Sequence, residues 1–254
     1  MLNFSVCIEM IFRDLPIEER IAKVAEAGAP AIEFWSWENK EDLDGIRAAA
    51  DKHGLAVAAH SGSPAKNLVD PSNKDAYLEG LKKGIEVARR LGCKTLLQTT
   101  GNEIEGVPRA EQHKSIVEHL KAAAPIVEDA GVTLVLEPLN TLVNHKGYYL
   151  DHTAEGVEII EEVGSPNVKL LHDIYHMQIM EGNVIDTIAA NIQHIGHFHT
   201  GDVPGRNQPG TGELNYANIF KKIDELGYEG FVGMEFKPIG DEVEVVRSVM
   251  ALAS

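Results

Sequence analysis

The chain has 254 residues, of which 44% are hydrophobic and 24% are charged, as in ordinary soluble globular proteins. Its 23 Lys and Arg residues against 39 Asp and Glu residues give a formal net charge of −16, which would repel a phosphate backbone and argues against nucleic acid. Since no apolar run approaches the roughly 20 residues that cross a bilayer, we expect neither nucleic acid nor a membrane as a partner.

The amino terminus and the two cysteines favour a cytoplasmic protein. Glu9, Arg13 and Asp14 interrupt the first apolar stretch, which therefore does not have the pattern of a signal peptide. Cys7 and Cys93 lie in apolar runs without Cys-x-x-Cys spacing, so we expect them to be buried free thiols.

Apolar strand-like runs alternate with amphipathic helical segments along the chain. The predicted strands cover residues 4–8, 31–35, 55–59, 94–99, 132–136, 168–171, 194–198 and 231–234. The predicted helices cover residues 16–28, 41–53, 73–91, 108–130, 153–163, 183–191, 216–226 and 241–252. Such alternation predicts a parallel sheet, and eight units match a (β/α)₈ TIM barrel as a single domain over residues 1–254. A doubly wound open sheet is the alternative, but no Gly-x-Gly-x-x-Gly follows the first strand.

Two connections are longer than a barrel needs. Residues 61–73 follow the third predicted strand, and residues 201–215 follow the seventh. Both lie on the carboxyl face of the predicted barrel, where long loops act as lids or substrate walls.

A polar side chain follows each of the last four predicted strands: Glu137, Asp173, His199 and Glu235. The carboxyl ends of parallel strands meet at one edge, so these side chains should converge. Three carboxylates and an imidazole need a positive charge among them, and an oxygen-rich set with one nitrogen suits Mg²⁺ or Mn²⁺. An acidic cluster without metal and with raised pKa values is the alternative, and Asp173 by itself fits a helix cap equally well.

Several longer stretches carry a family resemblance. They are Leu-Glu-Pro-Leu-Asn at 136–140, Asp-Ile-Tyr-His-Met-Gln-Ile-Met-Glu-Gly at 173–182, and residues 195–199, 208–216 and 233–238. In them the chain resembles the hydroxypyruvate isomerase family of the xylose isomerase-like barrels, a superfamily that includes ketose 3-epimerases and a barrel-type DNA repair endonuclease. The resemblance covers most of the second half, whereas the first half resembles the family mainly in its rhythm.

The resemblance implies a reaction and a set of ligands. Glu137, Asp173, His199 and Glu235 would bind Mg²⁺ or Mn²⁺, with Co²⁺ as a further option, and Glu137 and Glu235 would also form the acid/base pair. The implied enzyme is an aldose–ketose type isomerase of carbohydrate metabolism. It would interconvert hydroxypyruvate and tartronate semialdehyde by moving a proton through an enediolate.

One departure from the family leaves the substrate open. The family carries Gln at the third ligand position, whereas this chain has His199, as ketose 3-epimerases do. Against the epimerase interpretation, Val143 stands where those enzymes place a substrate-binding glutamate. A ketose 3-epimerase acting on D-tagatose or D-psicose, and a 2-oxo-tetronate isomerase, are therefore the alternatives. Two hypotheses come from other classes. The acidic net charge argues against a DNA repair endonuclease, whereas a non-catalytic barrel that binds a sugar acid remains an alternative.

Four further residues are candidates for substrate binding. The superfamily resemblance suggests that His176, three residues after Asp173, binds a substrate oxygen, with a solvated loop histidine as the alternative. His60 ends the third strand and would bind either substrate or a backbone carbonyl. Arg206 and Lys237 are the best cations for a substrate carboxylate, unless they are ordinary surface charges.

Two more features have a supporting role in this interpretation. His197 shares a strand face with His199 but lies deeper, so we expect it to support the site or fill the core. Trp35 and Trp37 fit either an apolar wall of the substrate site or a surface packed against a second subunit of a homo-oligomer.

Overall fold

The computed structural model describes residues 1–253, and its backbone forms eight parallel strands. They are β1 (Asn3–Cys7), β2 (Ala31–Glu33), β3 (Ala56–Ser61), β4 (Thr95–Gln98), β5 (Thr133–Leu136), β6 (Val168–Asp173), β7 (Ile195–Thr200) and β8 (Phe231–Met234). Each strand pairs with the next in the chain, and β8 pairs with β1 to close the barrel, with Ser5 opposite Gly233. The predicted (β/α)₈ fold is confirmed.

Helices connect the strands on the outside of the barrel. They are α1 (Ile17–Ala27), α2 (Leu43–His53), α3 (Lys74–Leu91), α4 (Arg109–Ala130), α5 (Thr153–Val163), α6 (Ile174–Met180), α7 (Val184–Asn191), α8 (Tyr216–Glu225) and α9 (Glu242–Ala251). All eight predicted helices are present. The additional helix, α6, follows β6 without a loop and begins directly after Asp173, the residue that the sequence allowed as a helix cap.

The strand ends differ from the predicted ones in a way that affects the site. β6 runs on to Asp173 and β7 runs on to Thr200, so that His199 lies within its strand. β3 extends through Ser61, and β2 ends early, at Glu33.

The interior of the barrel is divided into an apolar and a polar half. Four neighbouring strands, β3 to β6, contribute a small apolar layer made of Ala59, Leu97, Val135 and Leu171. The strands β1, β2 and β7 contribute buried polar side chains instead, namely Ser5, Glu33 and His197. The polar half lies beneath the strand ends at which His199 and Glu235 are found.

The two cysteines lie in the interior, as their apolar runs predicted. Cys7 and Cys93 are buried and free. None of the helices within residues 1–253 has the length and apolar character that crossing a bilayer requires.

Candidate active site

The four residues at the ends of the last strands meet at the carboxyl edge of the barrel. Glu137 directly follows β5 and Glu235 directly follows β8, while Asp173 ends β6 and pairs in register with His199 of β7. One ligand atom from each of the four lies within 4.8 Å of the others. The four side chains therefore converge as expected from parallel strands, and they are largely shielded from solvent.

The imidazole of His199 has carboxylates at both nitrogens. Its Nδ1 lies 3.0 Å from Oε2 of Glu235 and 3.6 Å from Oε1 of Glu137, and its Nε2 lies 2.9 Å from Oε1 of Glu33. Burial lowers the pKa of His199, but Glu235 and Glu33 outweigh it and raise the pKa well above its usual range. Within residues 1–253, neither ring nitrogen has a hydrogen-bond partner of acceptable geometry.

Arg206 supplies positive charge beside these acids. Its Nη2 donates to Oδ2 of Asp173 at 3.1 Å and also to Oε2 of Glu235. Burial opposes ionisation of Glu235, but Arg206 and His199 outweigh it and hold the Glu235 pKa far below its usual range. In Asp173 burial dominates and raises the pKa to about 7 despite Arg206.

This donor set fits a divalent cation. Three carboxylates and one imidazole are the ligands that Mg²⁺ and Mn²⁺ accept, and they belong to Glu137, Asp173, His199 and Glu235. The Nδ1 of His199 points at the carboxylates without a hydrogen bond to either of them. A buried polar atom in that situation is expected to have a partner, and a cation coordinated by all four residues would provide it.

Asp173 caps a helix and also faces the acidic cluster, the two roles that its position in the sequence allowed. Its Oδ1 accepts hydrogen bonds from the backbone N–H groups of Tyr175 at 2.8 Å and His176 at 3.3 Å, which caps the start of α6. Its Oδ2 faces the cluster, 3.1 Å from Arg206. The cap and the cluster therefore use different oxygens of one carboxylate.

Glu33 supports His199 from inside the barrel, a role that the sequence reasoning missed. Its Oε2 accepts a hydrogen bond from Ser5 Oγ at 2.6 Å and lies 3.0 Å from Nε2 of His197, while its Oε1 faces His199. Burial opposes ionisation of Glu33, but His199 and His197 hold its pKa at about 2. The signal available in the sequence was an acid within an apolar strand.

Gly233 leaves the room that this arrangement needs. A Cβ at position 233 would lie 2.7 Å from Cδ2 of His199 and would also collide with the carboxylate of Glu33. A side chain on this β8 residue would therefore separate the carboxylate from the imidazole. His197 lies at this deeper level, as expected.

Replacing Glu33 with Gln should weaken divalent-metal binding about 10- to 100-fold, the usual effect of losing a carboxylate behind a ligating histidine. The amide keeps the size of the side chain but removes the charge that orients His199 and makes its imidazole more basic. The measurement is titration calorimetry with Mn²⁺. Glu38→Gln, an exposed change five residues away, is the matched control, and equal Mn²⁺ affinity in both variants would contradict the role of Glu33.

His176 lines the site with its protonation state fixed by the backbone. Its Nδ1 accepts a hydrogen bond from the backbone N–H of Asn140 at 3.0 Å, so the proton of the neutral ring lies on Nε2. Burial first, and then Arg206, lowers the His176 pKa to about 2, which keeps the ring neutral. Nε2 lies 3.5 Å from Oδ2 of Asp173 and has no hydrogen bond among the described residues. The imidazole is thus a neutral donor at the edge of the cluster.

Arg206 is held by a loop organised around Asp202. The buried Asp202 carboxylate accepts hydrogen bonds from the backbone N–H groups of Gly210, Gly212 and Leu214 at 2.9 to 3.1 Å. The Asp202 carbonyl accepts the N–H of Arg206 at 3.0 Å. This part of the long loop after β7 is therefore ordered by one acid, which brings the guanidinium into the site.

A cavity of about 310 Å³ opens at this edge of the barrel. Its lining includes two glutamates, two histidines, two cations and Trp35, together with several smaller residues of β3, β4 and the segments that follow β2, β4 and β5. The indole Nε1 of Trp35 donates to Oε1 of Glu235 at 2.5 Å. Trp35 is thus a wall of the cavity, whereas Trp37 packs against the hydrophobic core. His145 and Lys66 also line the cavity, and neither was a candidate from the sequence.

Two of the predicted substrate-binding residues lie outside this lining. His60 is fully buried, stacks on Phe34 and has its Nδ1 2.9 Å from the Ser61 carbonyl, the backbone alternative weighed above. Burial lowers the His60 pKa to about 4. Lys237 has an exposed side chain, and only its backbone N–H reaches the site loop, at Arg206.

Comparisons with known proteins agree on a family. Residues 21–252 match the family model described as the xylose isomerase-like TIM barrel. The chain is 32% identical to the hydroxypyruvate isomerase of Escherichia coli K12 and 31% identical to the 2-oxo-tetronate isomerase of Cupriavidus necator, with 94% of each protein covered in both cases. A solved structure from Brucella melitensis, described as an AP endonuclease of family 2, superposes with a TM-score of 0.93 at 28% identity over 99% of both chains.

Proposed function

The chain belongs to the hydroxypyruvate isomerase family of the xylose isomerase-like TIM barrels, and we propose that it interconverts hydroxypyruvate and tartronate semialdehyde. The observation that carries this proposal is the cluster of Glu137, Asp173, His199 and Glu235, of which Glu137 and Glu235 also line the cavity. The relatives support an isomerase of this type, and the cluster supports metal dependence.

The reaction moves one carbon-bound proton between neighbouring carbons. A base removes a proton from C3 of hydroxypyruvate, which leaves an enediolate across C2 and C3. Protonation at C2, together with transfer of the O3 proton to O2, then gives tartronate semialdehyde, with an aldehyde at C3 and a hydroxyl at C2. Glu137 and Glu235 both line the cavity, and the low pKa of Glu235 keeps it ionised as a base at neutral pH.

Neutral and charged groups around the glutamates would hold the substrate. The Nε2–H of His176 is a donor for a substrate oxygen, and Trp35 covers one side of Glu235. A divalent cation held by the four clustered residues, Mg²⁺ or Mn²⁺ with Co²⁺ as an alternative, would stabilise the negative charge that develops on the substrate oxygens. The partly closed cavity strengthens such electrostatic effects by limiting access of water.

A 2-oxo-tetronate isomerase is the second candidate, because the Cupriavidus necator relative is almost as similar as the Escherichia coli one. The same proton transfer would act on a substrate with one more carbon. His199 in the third ligand position keeps a ketose 3-epimerase as the further alternative, with D-tagatose or D-psicose as substrate.

The test is NMR in D₂O on metal-stripped protein reloaded with Mg²⁺. We expect metal-dependent deuterium incorporation into hydroxypyruvate together with the appearance of tartronate semialdehyde. Exchange and isomerisation only with the four-carbon oxo-acid would favour the 2-oxo-tetronate isomerase. Exchange at carbon 3 of D-tagatose or D-psicose, without any reaction of hydroxypyruvate, would refute the isomerase proposal in favour of the epimerase.

A further inference from the structure

The cavity contains a positive charge that the reaction described above does not use. Two of its lining residues are cations, Arg206 and Lys66. The guanidinium of Arg206 already binds Asp173 and Glu235. Among residues 1–253, the ammonium of Lys66 pairs with no carboxylate, although its side chain is only partly exposed. Lys66 is therefore the cation in the lining that is free to bind an anionic ligand.

The backbone that carries Lys66 is fixed to the end of β4. The N–H groups of Leu68 and Val69 both donate to the Thr100 carbonyl, at 2.8 and 3.3 Å, and Ser115 Oγ donates to the Leu68 carbonyl at 2.8 Å. The contact is close because Gly101 has no side chain, since a Cβ there would lie 3.1 Å from the Lys66 carbonyl oxygen. Lys66 therefore extends from an anchored loop segment.

A second polar group on the same side of the cavity has no partner. Ser61 ends β3 and lines the cavity, and its buried hydroxyl makes no hydrogen bond among the described residues. Ser61 and Lys66 both belong to β3 and the loop that follows it, whereas the acidic cluster belongs to β5 to β8. The cavity thus has an anionic side and, at β3, a side with a free ammonium and a free hydroxyl.

We propose that Lys66 and Ser61 form the subsite that binds the carboxylate of the substrate, so that the cavity selects a hydroxy-keto acid over a neutral ketose. This inference rests on the proposed isomerase function, and it assigns the carboxylate to Lys66 in place of Arg206 or Lys237. An ammonium and a hydroxyl both donate hydrogen bonds to a carboxylate, and the ammonium bond is the stronger because it is charge-assisted. A ketose offers no charge for Lys66 to bind.

The experiment compares two unreactive ligands that differ only in the carboxylate: D-glycerate and glycerol. Their affinities for Mg²⁺-saturated protein are measured by titration calorimetry in the wild type, Lys66→Met and Lys66→Arg. Lys66→Met should bind D-glycerate about 10- to 100-fold more weakly, the usual effect of losing a hydrogen bond to a charged group. Lys66→Arg should stay within about 3-fold of the wild type, and glycerol binding should not change in either variant.

A parallel assay separates failure of this inference from failure of the proposed function. If the wild type converts hydroxypyruvate and Lys66→Met converts it with an unchanged KM, the isomerase function stands and the carboxylate subsite is refuted. If the wild type does not convert hydroxypyruvate, but Lys66→Met binds D-glycerate more weakly than the wild type does, the subsite stands and the proposed reaction is wrong. The subsite is refuted if the wild type does not bind D-glycerate, or if Lys66→Met binds it as tightly as the wild type does, whatever the result with hydroxypyruvate.

Discussion

Replacing Glu235 with Gln should lower the turnover of hydroxypyruvate at least about 100-fold, the low end of the contribution of a general base. Glu235 is buried and ionised, accepts the indole N–H of Trp35 and faces His199 and Arg206. Gln keeps the shape of the side chain and an oxygen for the indole, but it is a poor base for the substrate proton. The measurement is the initial rate of tartronate semialdehyde formation at saturating Mg²⁺.

Two controls isolate the role of the base from other effects of the change. Glu229→Gln alters an exposed acid just before β8 and should leave the rate within a factor of 2 or so. Titration with Mn²⁺ measures how much of the loss in Glu235→Gln reflects weaker metal binding, because rates are then compared at equal occupancy. A Glu235→Gln enzyme that keeps most of its activity would exclude Glu235 from proton transfer. A protein that binds hydroxypyruvate in both forms and never converts it would be a binding module.

The fold and the cluster of acids could both be predicted from the sequence, and for the same reason. In a parallel barrel every strand runs in one direction, so a polar residue after each apolar run must lie on one face. Glu137 and Glu235 follow that rule directly. The rule needs only the rhythm of apolar runs and not the exact strand bounds, which explains why Asp173 and His199 were found although β6 and β7 end two residues later than predicted.

Side-chain direction within a strand depends on an exact count, and here the sequence was insufficient. Successive residues of a strand point to opposite sides. β3 ends at Ser61, two residues after the predicted end at residue 59; Ser61 lines the cavity, whereas His60 packs on Phe34. Glu33 falls inside the second predicted strand, and its contact with His199 joins β2 to β7 across the barrel, a relation that no local pattern encodes.

Loop residues were the hardest to predict, because tertiary hydrogen bonds set the path of a loop. Lys66 enters the cavity since its loop is bonded to Thr100, and Arg206 enters it since Asp202 binds the backbone of the loop after β7. Lys237 follows β8 and Glu235 but has an exposed side chain. Charge type and spacing alone do not separate these three cations.

Replacing Asp173 with Asn should weaken Mn²⁺ binding at least about 100-fold while leaving the fold intact. Loss of a group behind a ligand already costs about 10- to 100-fold in metal affinity, and loss of charge on a ligand should cost as much or more. The Asn side chain still offers Oδ1 to the backbone N–H groups of Tyr175 and His176, so the cap of α6 is kept. Titration calorimetry with Mn²⁺ and urea unfolding, each on the variant and the wild type, measure the two effects separately.

Asp173→Ala separates the cap from the cluster. It removes both oxygens, so it should weaken Mn²⁺ binding like Asp173→Asn and in addition lower the free energy of unfolding by about 1 kcal/mol, the typical cost of a lost helix cap. Asp186→Asn, at an exposed position in α7, is the control for charge alone. If Asp173→Asn kept wild-type Mn²⁺ affinity and only Asp173→Ala changed stability, Asp173 would be a helix cap and no ligand. Glu137, His199 and Glu235 would then have to bind the cation without a ligand from β6.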